Sequence, residues 1–272
     1  HCLKTWFSSP RSECNMESNH PGEAVSKIES LLRVFIAGLL MLCLSVTFFA
    51  LMIPLLPWRL LRISCCNIYG SIVGKSMAWA SGADIIFHDR AKVNTQRPAI
   101  FVSNHSSTLD MWLGMWVCPM RGCGLAKKEI RYVPGVGQLY LLSGHPMIDR
   151  SNRERAISTM NEVAAFMVKN QLSLWVWPEG TRSRDGLLQP FKKGFVHAAL
   201  STQLPIVPVV VHNAAKVWPR GPIKFQPGPV DIEVLDAVST AGWSVDNVDQ
   251  HVNEIREIFI DRLAAGPPSL ST

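Results

Sequence analysis

One uncharged apolar segment limits how this chain can fold more than any other feature of the sequence. It covers residues 34–56 (VFIAGLLMLCLSVTFFALMIPLL), 23 residues without a charged side chain. About 20 apolar residues are enough for a helix to cross the core of a bilayer, and core helices of soluble proteins are usually shorter. The segment is too long for a signal-peptide core, and no small-residue cleavage site follows it. We therefore predict a membrane-anchoring helix here.

The anchor has two possible geometries, a single spanning helix or a helical hairpin that enters one leaflet. Residues 60–80 mix apolar side chains with serine, glycine and Lys75, a pattern typical of an amphipathic helix at the membrane interface. Pro54 and Pro57 lie where a hairpin would bend. The sequence assigns residues 34–80 to the anchor and leaves its geometry open.

The charges after the apolar segment predict the side of the membrane on which the rest of the chain lies. Trp58, at the expected depth of the interface, is followed by Arg59 and Arg62. Cytoplasmic flanks carry an excess of basic residues, so the following domain is expected on the cytoplasmic side of the cell (inner) membrane. The net charge of +6 and the pI near 9.0 suit anionic lipid, a phosphorylated substrate or nucleic acid.

The two ends of the chain are predicted as tails. Residues 1–15 show no periodic pattern, and Met16 opens a more ordinary polar segment. We expect Met16 to be the natural start and residues 1–15 to be upstream translation. Residues 1–33 then form an N-terminal tail, residues 81–265 one α/β domain, and residues 266–272 a disordered tail.

From Ala83 onward, short β-rich runs alternate with helical patterns. The predicted strands are ADIIFH, AIFVSN, CGLAK, residues 146–149, LSLWVW, PIVPVVV and VDIEVL. The predicted helices are TLDMWLGMWV, GVGQLYLLSG, RERAISTMNEVAAFMVKN, KKGFVHAAL and roughly residues 252–263. This alternation indicates an α/β domain with a mostly parallel sheet flanked by helices. Sites in such domains lie where strands end and helices begin.

The stretch NHSSTLD places a histidine and an aspartate at such a junction. His105 ends the run AIFVSN, and Asp110 falls in the first turn of the helix predicted after it. A neutral imidazole can accept the proton of an attacking alcohol. A carboxylate on the other ring nitrogen fixes the tautomer and stabilises the cation that forms. The pair is a candidate base with its orienting acid, although most pairs at this spacing arise by chance.

Two other uses of this pair are disfavoured. A metal site needs at least one more ligand, and none lies nearby in the sequence. A serine hydrolase of the α/β type needs a G-x-S-x-G elbow, and the sequence contains none.

A second polar loop, EGTR (residues 179–182), follows the run LSLWVW and Pro178. Its glycine allows a sharp turn, and the planar guanidinium of Arg182 matches a phosphate. Lys192 and Lys193 open the next predicted helix. Two cations are unfavourable at a helix start, so they suggest an anion nearby.

Five sequence blocks, taken in order, resemble the glycerolipid acyltransferases. NHSSTLD resembles their N-H-x-x-x-x-D block, AKKEIRYVPGVG their lysine-containing segment, GHPMIDR a block ending in arginine, WPEGTRS their F-P-E-G-T-R-S block with Trp177 in place of phenylalanine, and LPIVPVVV their proline-punctuated strand. The blocks cover about residues 83–215 and are jointly specific. The pattern is most similar to that of the 1-acyl-sn-glycerol-3-phosphate acyltransferases of the PlsC type.

This resemblance implies transfer of a fatty acyl group from acyl-CoA or acyl carrier protein to the free hydroxyl of lysophosphatidic acid, giving phosphatidic acid. It implies His105 as general base and Asp110 as its partner. The implied substrate-binding residues are Glu179, Gly180, Thr181, Arg182 on the phosphate, Arg150, Lys127 and Lys128. No metal, cofactor or acyl-enzyme is expected. Main-chain amides after His105 or near Gly180 are expected to stabilise the oxyanion.

Three rival functions stay open at this point. The first is an acyltransferase for another lysolipid, such as a lyso-ornithine lipid or a lysophospholipid with a larger head group. The second is a membrane-bound thioester hydrolase in which His105 activates water, and the third is an inactive membrane-binding module. Nucleic-acid binding is disfavoured, because the basic residues are not interleaved with aromatic residues on one face. The expected partners are membrane lipid, the lysolipid and the acyl carrier.

Overall fold

The computed structural model describes residues 27–132, 136–148, 153–221 and 225–268. Its first two helices, α1 (Lys27–Met52) and α2 (Arg59–Ser81), are joined by a turn. They form an antiparallel hairpin in which α1 contacts Tyr69 of α2. The hydroxyl oxygens of Ser45 and Tyr69 lie 2.8 Å apart, and the ring centroids of Phe48 and Tyr69 lie 4.9 Å apart. A second helix therefore follows the apolar segment, and it folds back along the first.

The outer surface of this hairpin is apolar. Residues Ile28–Met52 have a mean hydropathy of 2.6 with 11% of the apolar stretch buried, so α1 is long and apolar enough, by length and composition, to cross a membrane. Large apolar side chains exposed on α2 are Leu61, Ile68, Ile72 and Trp79. A surface of this kind marks a site of contact with membrane or protein. α1 begins at Lys27, so it extends into the segment that the sequence assigns to the N-terminal tail.

The following part of the chain alternates strands and helices. Its strands are β1 (Ala83–His88), β2 (Ile100–Ser103), β3 (Gly122–Gly124), β4 (Ala126–Lys127), β5 (Met147–Ile148), β6 (Ser173–Val176), β7 (Ile206–Val211) and β8 (Gly228–Val234). Its helices are α3 (Lys92–Thr95), α4 (Leu109–Val117), α5 (Val136–Ser143), α6 (Arg153–Asn170), α7 (Gly194–Thr202), α8 (Ala214–Val217) and α9 (Val248–Ala265). Each predicted strand overlaps an observed one, and the predicted strand CGLAK is divided into β3 and β4.

Six of the strands form one sheet in the order β1-β8-β7-β2-β6-β3. Strands β7, β2, β6 and β3 run parallel. Strands β1 and β8 are parallel to each other, but β8 is antiparallel to β7, so these two run the opposite way. The mostly parallel sheet is confirmed. Because β2 lies between β7 and β6, the loops that follow these three strands meet at one edge of the sheet.

Helices cover both faces of the sheet, and the central strand is buried on both sides. On β2, Phe101 belongs to the core layer under α2 and α4, whereas Ile100 and Val102 belong to the layer under α6, α7 and α9. All four β2 residues are buried. Continuous apolar runs such as AIFV are typical of parallel strands covered on both faces.

Two glycines bring α2 into close contact with α4. A Cβ at Gly70 would lie 3.3 Å from the main-chain oxygen of Met115, and one at Gly74 would overlap the main-chain oxygen of Trp112. Small residues four positions apart allow two helix backbones to approach closely. The hairpin is thereby attached to the helix that carries Asp110.

The two arginines after the apolar segment also have a structural role. Arg59 Nε donates to the main-chain oxygen of Gly144 at 2.8 Å, and Arg62 Nη1 donates to that of Leu142 at 2.5 Å. The guanidinium carbon of Arg59 also lies 4.0 Å from the ring centroid of Phe166. Carbonyls at a helix end lack helical partners, and these two at the end of α5 accept from the arginines instead. Both arginines thus fix the hairpin to the α/β domain.

Candidate active site

Three loops meet at the carboxyl edge of the sheet. The His105 loop (residues 104–108) follows β2, the Glu179 loop (residues 177–189) follows β6, and residues 212–221 follow β7. Asn104 ties the first to the third. Its Nδ2 donates to the main-chain oxygen of Val211 at 2.9 Å, and its Oδ1 accepts from the Val211 amide at 2.8 Å. This side chain therefore extends the strand pairing beyond the end of β2.

His105 lies beside Asp110, as the sequence predicts. The distance from His105 Nδ1 to Asp110 Oδ2 is 3.4 Å, an ion-pair contact that is long for a hydrogen bond. Catalytic hydrogen bonds are often this long before substrate binds. His105 Nδ1 and Asp110 Oδ1 are buried without another polar partner in the described part of the chain. Since Nδ1 faces Asp110, Nε2 is the ring nitrogen that can act on a substrate, and the side chain is 14% exposed.

Asp110 is a buried carboxylate in the first turn of α4. Its Oδ2 accepts a 2.6 Å hydrogen bond from the amide of Ser107. Burial raises the pKa of Asp110 above its ordinary value, while His105 and the loop amides act in the opposite direction. A carboxylate that has lost its hydration is most stable beside a cation. The pair is therefore arranged to stabilise an imidazolium when one forms.

Glu179 holds the His105 loop from the other side. Its Oε1 accepts from the amide of His105 at 2.5 Å, and its Oε2 accepts from the amide of Gln189 at 2.8 Å. The side chain is buried, and burial raises its pKa. Both oxygens are thus bound to main-chain amides, so the contacts of Glu179 are those of a residue that positions His105.

Arg182 lies at the same edge and is linked to the His105 loop. Its Nη1 donates to the hydroxyl of Thr108 at 2.9 Å. Gly180 turns the chain with a φ of +72°, and a Cβ there would lie 2.7 Å from Nζ of Lys192. The side chain of Lys192 therefore lies across Gly180, and Gly180 is two residues before Arg182. Lys193, in contrast, forms an ion pair with Asp249 of α9 at 2.7 Å. Its charge is therefore already paired and gives no reason to expect an anion beside it.

Trp177 supports the imidazole ring of His105. The two rings stack with centroids 4.9 Å apart and an interplanar angle of 24°. On its other side Trp177 packs against α4, where a Cβ at Gly114 would lie 2.5 Å from Trp177 Cζ2. A glycine at this position makes room for an indole where the resemblance expects a phenyl ring. The indole thus holds the orientation of His105.

The third loop supplies main-chain acceptors that its own sequence does not indicate. The main-chain oxygen of Trp218 accepts from the hydroxyl of Ser107 at 2.5 Å and from the amide of Thr108 at 3.3 Å. The same Ser107 hydroxyl accepts from the amide of Leu109 at 2.9 Å. Acceptors on the main chain leave no trace in residue type, so only the polar run of the His105 loop pointed to such contacts.

The segments with the other predicted basic residues lie side by side. Strands β4 and β5 pair in parallel, with Ala126 opposite Met147 and Lys127 opposite Ile148. Lys128 begins a 3-10 helix, Lys128–Tyr132. Arg150 lies outside the described residues, so its predicted role stays a prediction, as do those of Lys127 and Lys128.

Three main-chain amides of the His105 and Glu179 loops already have acceptors. The amide of His105 donates to Glu179, that of Ser107 to Asp110, and that of Gly180 to the main-chain oxygen of Trp177 at 3.1 Å. These donors fix the loops. The amides of Ser107 and Gly180 therefore already have acceptors, and the expectation that amides after His105 or near Gly180 stabilise the oxyanion stays a prediction for the other amides of these loops.

Comparison with known proteins assigns the family. Residues 84–212 match the family model described as Acyltransferase. The chain is 39% identical to a 1-acyl-sn-glycerol-3-phosphate acyltransferase of Limnanthes douglasii, over 89% of this chain and 86% of that protein. It is 36% identical to one of Cocos nucifera, over 96% of this chain and 88% of that protein. The chain belongs to the family of 1-acyl-sn-glycerol-3-phosphate acyltransferases.

A solved structure shares the fold. The 1-acyl-sn-glycerophosphate (LPA) acyltransferase PlsC of Thermotoga maritima superposes with a TM-score of 0.60 at 22% identity. The match covers 84% of this chain and 97% of that one. It therefore extends beyond the Acyltransferase match at residues 84–212.

Proposed function

We propose that the protein moves a fatty acyl group from a thioester carrier, acyl-CoA or acyl carrier protein, to the free hydroxyl of lysophosphatidic acid, giving phosphatidic acid. Family membership and the names of the relatives support the reaction. The observation that carries the proposal is the meeting of His105 and Arg182 at one sheet edge, where Thr108 links their loops. One loop offers a base for the hydroxyl, and the other offers a fork of donors for the phosphate.

In the proposed reaction His105 acts as the general base. The acceptor hydroxyl gives its proton to Nε2 as its oxygen attacks the thioester carbonyl carbon. Asp110 faces Nδ1 and stabilises the resulting imidazolium. The tetrahedral intermediate collapses, the carbon–sulfur bond breaks, and the carrier thiolate takes the proton from the imidazolium. A thioester is already activated, so the demand on the protein is to deprotonate and position an alcohol.

Arg182 is the proposed ligand of the acceptor phosphate. Within the described chain its guanidinium donates only from Nη1, to the Thr108 hydroxyl, which leaves its other donors for a phosphate. Lys192 follows the Glu179 loop, and its side chain lies across Gly180, where it adds a positive charge. A terminal phosphate carries more charge than a phosphodiester, so this arrangement favours lysophosphatidic acid over lysolipids with larger head groups.

We place the protein at a membrane, with the α/β domain on the cytoplasmic side. The exposed apolar face of α1 and α2 supports the attachment, since the surfaces of soluble proteins rarely expose so many leucine and phenylalanine side chains together. The hairpin packs on α4, whose first turn carries Asp110. This packing keeps the base close to the surface from which a lysolipid is taken.

The test is an assay of the full-length protein in mixed micelles with labelled acyl donors of several chain lengths. Lysophosphatidic acid should be converted to phosphatidic acid, and acyl-CoA and acyl carrier protein are compared as donors. A preference for a lyso-ornithine lipid or lysophosphatidylcholine would reassign the acceptor. Release of free fatty acid without phosphatidic acid would show a thioester hydrolase instead.

A further inference from the structure

The loop formed by Trp218, Pro219 and Arg220 lies beside the candidate site and outside the family match, which ends at residue 212. We call it the 218–220 loop. It follows α8, on the β7 side of the His105 loop, whereas the Glu179 loop lies on the β6 side. The His105 loop is therefore held between two others.

The 218–220 loop binds the His105 loop through two main-chain oxygens. That of Trp218 accepts from the Ser107 hydroxyl, as described above. That of Pro219 lies 3.3 Å from the Thr108 hydroxyl, which donates to it. The same Thr108 oxygen accepts from Arg182 Nη1 at 2.9 Å. One hydroxyl group thus joins all three loops with its single donor and an acceptor site.

Arg220 closes this network on the far side. Its Nη1 donates to the main-chain oxygen of Arg182 at 2.8 Å. Arg182 is therefore held at both ends, by Thr108 at its guanidinium and by Arg220 at its backbone. Within the described chain, neither guanidinium forms an ion pair with a carboxylate. The two arginines therefore place uncompensated positive charge at the edge of the sheet, where an anion would be stabilised.

We propose that Arg220 is a positioning residue for acceptor binding: it fixes the main chain of Arg182 so that the Arg182 guanidinium is presented to the anionic head group. This proposal rests on the proposed function, since it takes Arg182 as the head-group ligand. A long side chain loses conformational freedom when it binds, and holding it beforehand reduces that loss. Arg220 therefore acts on acceptor affinity, and it has no part in the proton transfer at His105.

The experiment compares Arg220→Ala and Arg220→Lys in the full-length protein. Arg220→Ala should raise the KM for lysophosphatidic acid about five- to tenfold, the range expected for the loss of one ordinary, exposed hydrogen bond. The kcat and the KM for the acyl donor should stay within about twofold. Arg220→Lys keeps a charged donor and should recover part of the loss. A purely structural role would alter kcat, or both KM values together.

A matched control exists at the opposite end of β2. Arg97 Nη1 donates to the main-chain oxygen of Met120 at 2.8 Å, and this arginine is exposed like Arg220. Arg97→Ala removes the same kind of bond before β2 begins and should leave all three kinetic constants unchanged. Equal effects of Arg97→Ala and Arg220→Ala on the acceptor KM would overturn the proposal.

A direct binding measurement separates this proposal from the proposed function. The probe is a lysophosphatidic acid analogue without the free hydroxyl, which cannot be acylated. Wild-type protein should bind it several times more tightly than Arg220→Ala, whether or not transfer is observed. Equal affinities would reject the role of Arg220 even if phosphatidic acid is formed. Tighter binding by the wild type with no phosphatidic acid formed would support Arg220 and reject the transfer reaction.

Discussion

Among the histidine–carboxylate pairs of the described residues, His105–Asp110 and His88–Asp231 have equally exposed rings, but only the first lies at the candidate active site. His105 Nδ1 and Asp110 Oδ2 are 3.4 Å apart, with side chains 14% and 0% exposed. His88 Nε2 and Asp231 Oδ1 are 2.8 Å apart, with side chains 14% and 8% exposed. Distance and exposure alone would select the His88 pair, because its contact is the shorter one.

The surroundings of the two pairs explain their difference. His88 and Asp231 lie within the regular strands β1 and β8, next to a second buried pair, His212 and Glu233. His105 lies on a loop at the carboxyl edge, with Arg182 on the neighbouring loop. Ion pairs inside strands are usually structural, even when their pKa values are perturbed. A pair becomes a candidate for catalysis when a loop leaves one ring nitrogen open and a second loop provides a substrate ligand.

Replacing each histidine by alanine tests this comparison with the largest expected effect. His105→Ala should lower kcat/KM for acyl transfer about 100- to 10,000-fold, the range for loss of a general base. His88→Ala removes a ring of equal exposure and should change kcat/KM by about twofold or less, because it touches no substrate. Initial rates with lysophosphatidic acid measure both. Losses of similar size would mean that the His105 loop has no special role.

The two aspartates should separate activity from stability. Asp110→Asn should lower kcat about 100-fold or more, since the amide favours the wrong tautomer of His105. Burial raises the pKa of Asp110, so ionising this carboxyl opposes folding at neutral pH. The variant should therefore unfold at an unchanged or higher temperature, since its side-chain oxygen can still accept from the Ser107 amide.

Asp231→Asn is the control for this experiment. It should retain activity but unfold at a lower temperature, because it weakens the 2.8 Å contact with His88. An Asp110→Asn variant that keeps full activity, with its fold intact, would remove Asp110 from the mechanism.

Much of the fold could be predicted because its signals are local. The apolar runs AIFV and PIVPVVV predict buried parallel strands, and one-sided patterns predict helices such as α6. The antiparallel pairing of β8 with β7 could not be predicted, because the apolar and polar residues of VDIEVL alternate in a way that does not indicate the direction of the strand. The hydrogen bonds of Arg59 and Arg62 to carbonyls at the end of α5 also could not be predicted, since they depend on the fold of a distant segment.

The candidate site divides in the same way. His105, Asp110 and Arg182 could be found because their side-chain types match a chemistry at the ends of runs that read as strands. The resemblance implies Glu179 as an acceptor ligand, whereas its two oxygens accept from the amides of His105 and Gln189. The contribution of Trp218 is a main-chain oxygen, and Arg220 acts on the main chain of Arg182. Such contacts do not depend on a recognisable pattern of residues.

The packing beneath His105 offers a test with a smaller effect. Gly114→Ala should lower the free energy of unfolding by about 1–3 kcal/mol, because its methyl group would collide with the indole of Trp177. Trp177→Phe should relieve the closest contacts, although a Cβ at Gly114 would still lie 2.9 Å from Trp175 Nε1, so the double variant should lose less stability than the two single variants together. Urea denaturation of the four proteins measures the coupling.

Gly194 at the start of α7 is the control, because a Cβ there would meet no atom within 4 Å. Gly194→Ala should be neutral or slightly stabilising, as alanine is the better helix former. If Gly114→Ala is equally harmless, the stacking of Trp177 on His105 does not depend on close packing against α4.

The second buried pair predicts the smallest effect, a dependence of stability on pH. Burial lowers the pKa of His212 below its ordinary value. The charges of Glu233 and Asp231 act in the opposite direction, and that of His88 lowers the pKa further. Between the folded and unfolded pKa values the unfolded chain binds the additional proton. The stability linked to His212 is therefore present above the unfolded pKa and is lost as the pH falls below it, by at most about 1.4 kcal/mol per pH unit. Unfolding measured from pH 7 to 5 should show this decline.

Substitutions at this pair should change the decline in opposite directions. His212→Gln removes the titrating ring and should make the decline shallower. Glu233→Gln removes the carboxylate that raises the pKa of His212, so protonation should oppose folding more strongly and the decline should become steeper. The double variant should behave like His212→Gln, because no ring is left for Glu233 to act on. A decline of stability that is the same in all four proteins would assign the acid sensitivity to groups other than His212. The buried pair of His212 and Glu233 would then have only a structural role, unlike the His105 site.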